Sequence, residues 1–248
     1  MMKNSLLIII VFVWVSSIHV SAEETSKTDC IAFLDTAKHN SKKQIKATRV
    51  DNELSYSESH TVKDVDGNIY KTIKIGNQIW LKENLKVTHY RNGDAIPKMV
   101  NNTDWSQIKQ GVFLDCTSFG HLYNWYAIND NRNIAPIGWH IPSKAEWDTL
   151  INFLGGNKKS VIKLKSTVGW KEKNKGTNMS GFSALPCGMF NGEVCSPIFF
   201  ETAQWWSSTI AQNSDNVISF TIQPVSFKEI MQVEESKYFG LAIRCIKD

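Results

Sequence analysis

The clearest pattern along the chain lies between two turn signals. Asp66-Gly67 and Gly76-Asn77 bracket a run in which Ile69, Lys71, Ile73 and Ile75 alternate with Tyr70, Thr72 and Lys74, and Gln78 to Leu81 follows. Alternation of this kind marks a strand, and Asp-Gly and Gly-Asn supply the backbone freedom of tight turns. Two consecutive hairpins are therefore expected to open a domain. A helical period begins at Ser143, where Trp147, Leu150, Ile151 and Leu154 recur on one face. Ser143 with Glu146 forms a capping box, Pro142 stiffens the approach, and Gly155-Gly156 can take the left-handed conformation that ends a helix. Asp148 falls in the first turn, where a negative charge favours the helix dipole. Beyond it, GTNMSGFSALPCGMFNGEVC, QWWSST, NVISFTI and YFGLAIRCI read as short strands and turns. One strong helix among many short strands predicts an α+β domain with long loops.

The start of the chain changes the setting rather than the fold. Lys3, the apolar run LLIIIVFVWV and the small residues before Glu23 read as a secretory signal peptide over residues 1–22. Its apolar core is shorter than the about 20 residues a bilayer helix needs, so no stable membrane span is expected after cleavage. Residues 23–60 are polar and mixed in charge, a spacer with too little apolar surface to fold alone. The domain then occupies residues 61–248, and the expected location is secreted or on the cell surface. A net charge of +4 on 248 residues is too mild to imply nucleic acid as a partner, and no basic run with interleaved aromatics supports one. Five Cys in an exported chain point to disulfides, and the odd count leaves at least one thiol over.

Candidate chemistry gathers at His140, Glu146 and Asp148. Both carboxylates already have tasks at the helix start, and His140 has no evident acid or nucleophile partner at meaningful spacing. A histidine beside Trp139 is then read as a packed, hydrogen-bonded residue. No catalytic residue, metal ligand or cofactor is assigned, because no nucleophile elbow, phosphate loop or His/Cys metal spacing occurs. Asp66 to Asn68 looks like part of a calcium loop, but the remaining ligands are missing and a turn explains it.

With 9 Trp available, the question is which are core. Trp80, Trp125, Trp139 and Trp147 are assigned there. Trp105 and Trp170 lie in polar, loop-like surroundings, while Trp205 and Trp206 are adjacent and should face opposite sides of a strand, leaving at most one toward solvent. Trp105, Trp170 and Trp206 are therefore the candidate ligand-binding aromatics, since ring faces stack on sugars; the alternative is that they too are core. Cys187 and Cys195 flank the Asn191-Gly192 turn, a spacing at which a hairpin brings two side chains together, and are the expected disulfide.

The blocks VDGNIYKTIKIGNQIWLKENL, FGHLYNWYAI, PIGWHIPSKAEWDTL, KLKSTVGW, GTNMSGFSALPCG, WWSST and YFGLAIRC occur in an order that resembles the Fibrobacter succinogenes major paralogous domain. That family is similar to the C-type-lectin-like fold and, more loosely, to the formylglycine-generating enzyme fold. The resemblance implies a compact α+β domain exported by or displayed on a bacterium, and it implies no known reaction. Family members usually carry a Cys just before P-x-GWH that looks like the partner of the final-strand Cys. Here Ala135 stands in that place while Cys245 is kept, so that bridge is missing, and Cys30, Cys116 and Cys245 are left without assigned partners. Calcium-dependent sugar binding of the related lectins would carry over EPN and WND elements, and copper-dependent oxidation a close Cys pair; neither is present. The expected function is an exported binding module, with polysaccharide as its ligand. The alternatives are a protein-binding adhesion or scaffold domain and, behind it, an enzyme of unknown reaction.

Overall fold

A computed structural model describes residues 60–99, 107–115, 119–191, 201–212, 214–223 and 229–248. The expected leader and spacer, Trp105, Cys30, Cys116 and Cys195 lie outside these. The two opening hairpins form as the alternation predicts: β1 (Thr61–Lys63), β2 (Ile69–Ile75) and β3 (Gln78–Leu81) pair antiparallel, with Ile75 opposite Gln78 across the second turn. Gly67 and Gly76 both take positive φ at these turns, which a residue with a Cβ adopts at a cost. The sheet is completed from far along the chain. β10 (Ile246–Lys247) adds beside β3, and β6 (Trp139–His140) adds beside β10, in the order β1-β2-β3-β10-β6.

A second antiparallel sheet contains β7 (Ala203–Ile210), β8 (Val217–Ile222) and β9 (Ile230–Glu235), and β4 (Phe113–Leu114) pairs with β5 (Leu122–Tyr123). The YFGLAIRCI segment is less regular than the strand expected of it. Leu241 bridges to Tyr123 and Ala242 to Trp205 before the short β10 begins.

Helix α2 (Lys144–Phe153) starts where its capping box places it. Ser143 Oγ accepts from the Glu146 amide, and the Glu146 carboxylate accepts from the Ser143 amide. Trp147, Leu150 and Ile151 are its buried face. Trp147 sits among four aromatic rings, with centroids 4.9 Å from Trp80, 5.2 Å from Phe220, 5.7 Å from Trp205 and 5.9 Å from Phe182. Among the described residues two further α-helices are present, α1 (Trp125–Ile128) and α3 (Asn157–Leu164). The second escapes a periodicity reading because only Val161 and Leu164 of its large side chains are buried, between lysines.

Two apolar clusters share the core. One holds Trp80, Trp147, Phe182, Trp205 and Phe220; the other holds Tyr70, Tyr123, Trp125, Trp139 and Trp206. β7 lies between them, so Trp205 and Trp206 do point to opposite faces, and each face is covered.

Candidate functional site

That placement corrects the aromatic reading. Trp206 is 0% exposed and donates its ring N–H to the Tyr123 carbonyl at 2.7 Å. Trp170 is 4% exposed, donates to the Ala184 carbonyl at 2.8 Å, and has the Lys165 ammonium 4.2 Å from its ring centroid. Neither ring can stack on a sugar. The polar residues around Trp170 misled because they form a strap over it: Lys165 Nζ donates to Asn174 Oδ1 at 2.5 Å, and both residues are buried. Cys187 is buried with a free thiol, and its expected partner Cys195 lies outside the described residues. Cys245 is also free, and it lies in the same buried cluster as Ala135.

His140 has partners after all. Its Nε2 meets Glu146 Oε1 at 2.8 Å and its Nδ1 meets Asp248 Oδ1 at 2.7 Å. Burial works against the charged ring, but the bonds to Asp248 and Glu146 outweigh it and raise the pKa above the usual histidine value. A ring that donates from both nitrogens has no lone pair left to abstract a proton. The two carboxylates sit on opposite ring edges, so the three groups do not converge on a point where one ion could bind. His140 fastens the C-terminal strand to the start of α2.

A more open arrangement lies at α1. Asn124 caps that helix: its Oδ1 accepts from the amides of Ala127 (3.2 Å) and Val112 (3.0 Å), while its Nδ2 donates to the Gln110 carbonyl at 2.9 Å. One buried side chain thereby fixes the segment of residues 110–112 against the helix start. Between them opens a shallow polar cleft of about 380 Å³. Lys109, Gln110 and Gly111 form one wall, and Tyr126, Asn129, Asp130 and Asn131 the other. Tyr126 is half-buried and packs at 5.8 Å on Tyr238.

Charge in the cleft is fixed from the side. Arg132 donates to Asp130 from its amide and Nε (each 2.9 Å to Oδ1) and from Nη2 (2.7 Å to Oδ2), and its Nη1 reaches Asp94 at 3.1 Å. The bond from Arg132 holds the Asp130 carboxyl below its usual pKa. The Arg132 guanidinium lies 4.0 Å over the ring of Tyr90. Tyr90 is fully buried, and its hydroxyl makes no well-formed hydrogen bond. It stands directly behind Gly111, where a Cβ would fall 2.0 Å from the hydroxyl oxygen. Burial first, and then the charge of Asp130, pushes this hydroxyl up to about 12.

None of Gln110, Tyr126, Asn129 or Asp130 stands out in the sequence. The Asn-rich stretch from Asn124 to Asn133 could have been a signal, since Asn serves as cap, turn former and ligand of hydroxyls alike.

Comparison with known proteins agrees with the order of the sequence blocks. The model of the Fibrobacter succinogenes major domain matches residues 73–247, most of the chain, and the protein belongs to that family. No curated protein and no solved structure matches it.

Proposed function

We propose that this member of the Fibrobacter succinogenes major domain family is an exported, non-catalytic binding module that seats a glycan in the cleft at Tyr126. The observation that carries the reading is the composition of that cleft. An aromatic ring, three side-chain amides, a carboxylate and an ammonium surround one open depression. Sugar rings offer an apolar face for stacking and hydroxyls that both donate and accept, and this set of groups answers each of them. Behind the wall, the buried Tyr90 hydroxyl lies beside Asp130 and Arg132 and helps hold that carboxylate charged.

The finer fold assignment belongs to the same proposal. Hairpin-rich antiparallel sheets, a well-capped helix and long loops between them support a C-type-lectin-like domain. Export to the cell surface or medium is supported by the leader-like first residues. Among the described residues no helix is long and apolar enough to cross a membrane.

The test is a glycan array probed with the full chain and with Tyr126→Ala. Binding by the first that is lost in the second is the expected result. An array silent for the folded wild-type protein would remove the glycan reading and transfer the cleft to a protein partner.

A further inference from the structure

The groups that line the cleft also limit which sugar it can take. Its lining cation is Lys109 and its lining anion Asp130, and beside it Arg132 pairs with Asp130 and Asp94, so the formal charges of the four cancel. Arg132 is spent on the two carboxylates, so an anionic ligand would find only the exposed ammonium of Lys109 while approaching Asp130. A cationic ligand would meet that same ammonium. The carboxylate of Asp130, in contrast, is held in place by three bonds from one neighbour. Each carboxylate oxygen can accept more than one hydrogen bond, so it retains acceptor capacity toward the cleft. An acceptor fixed in this way costs little ordering when a ligand arrives.

We infer that the ligand is an uncharged sugar bearing adjacent hydroxyls, and that Asp130, positioned by Arg132, is the acceptor that reads them. This rests on the binding reading above and narrows it. Gln110, Asn129 and Asn131 complement the acceptor, because their amide groups donate to the same hydroxyl oxygens that give protons to Asp130. Tyr126 covers the apolar face of the ring. Gly111, with no Cβ to meet the Tyr90 hydroxyl and Ala127 behind it, lets this wall pack close against α1.

Three panels of probes separate the possibilities: neutral hexasaccharides of glucose, mannose and xylose, oligogalacturonates, and deacetylated chitosan oligomers. Each is titrated calorimetrically into the full chain at low and high salt. The expected result is binding by at least one neutral hexasaccharide with an affinity that salt hardly moves, since no net charge is neutralised. Asp130→Asn should weaken that binding by about tenfold or more, the scale for losing a charged hydrogen-bond acceptor. Tight binding confined to the uronates or to the chitosan, weakening as salt rises, would overturn this inference while leaving the binding reading in place. Unchanged affinity in Asp130→Asn would also overturn it. Silence from all three panels would remove both.

Discussion

The guanidinium of Arg244 grips one atom, Asn84 Oδ1, through both Nε at 3.0 Å and Nη2 at 2.7 Å. Trp205 donates its ring N–H to the same oxygen at 2.9 Å. Arg244 is buried with no carboxylate bonded to it among the described residues, its Nη1 donates to the carbonyls of Leu81 and Phe182, and burial lowers its pKa to about 10. Asn84 is therefore the acceptor on which a buried cation depends. Replacing Asn84 by Leu should cost about 3–5 kcal/mol, the scale for breaking a buried charged contact. Arg244→Met should cost less, because it removes the charge instead of stranding it. Urea unfolding of both variants checks the order, and equal losses would refute it.

Trp147 and Trp170 should now behave alike. Trp147→Ala empties the centre of four aromatic contacts and should cost about 3–5 kcal/mol. Trp170→Ala opens a cavity and orphans the Ala184 carbonyl, so a substantial loss is expected here too. A melt unmoved by Trp170→Ala would restore the sequence reading of that ring as a surface group.

The clasp at His140 carries a pH signature. Its folded pKa is raised, so its contribution to stability is complete below about pH 6.5, the unfolded histidine value, and is lost as pH rises through the folded value. Glu146 works in the other direction. Burial opposes its charge, but the bonds from Ser143 and His140 lower its pKa, so its contribution is present above the unfolded carboxyl value and disappears as pH falls through the folded one. Thermal melts across pH should show wild type losing stability relative to His140→Gln as pH rises above about 6.5. Parallel curves would show that the clasp is not populated in solution.

Lys165 should produce the opposite slope at higher pH. Burial lowers its pKa to about 8, below the unfolded value of about 10.4. The unfolded chain then binds the extra proton between these values, and stability should rise with pH across that window. Lys165→Met should abolish the rise, and a wild-type curve that stays flat there would argue that the ammonium is solvated.

Gly111 tests the wall of the cleft. A Cβ there would lie 2.0 Å from the Tyr90 hydroxyl oxygen and 2.7 Å from Ala127 Cα. Gly111→Ala should destabilise the protein by about 1–3 kcal/mol, the cost of overpacking, and Tyr90→Phe in that background should recover part of it. Full tolerance of the alanine would mean that the wall is looser than the contacts imply.

What was legible in the chain follows from range. The hairpins at Gly67 and Gly76 and the capped helix at Ser143 are written in residues within a few positions of one another, and they form as read. The partners of His140 are not local: Asp248 is 108 residues away, brought in by the pairing of β10 with β6. Trp170 and Trp206 failed for a related reason. Polar neighbours in sequence do not reveal what packs on a ring in space, and β7 is covered on both faces by clusters drawn from distant segments. The cleft was invisible because Asn124 unites residues 110–112 with α1 through hydrogen bonds that no periodicity records.

The recognition proposed at Tyr126 and the scaffolding at His140 are separable by a single comparison. Calorimetric titration of the best array glycan into the full chain, Tyr126→Ala and His140→Gln should give a loss of about tenfold or more for the first variant, the scale expected of a stacked aromatic anchor. His140→Gln should bind as wild type does. Wild-type affinity in Tyr126→Ala together with lost binding in a folded His140→Gln protein would contradict the account and move the working surface to the helix start.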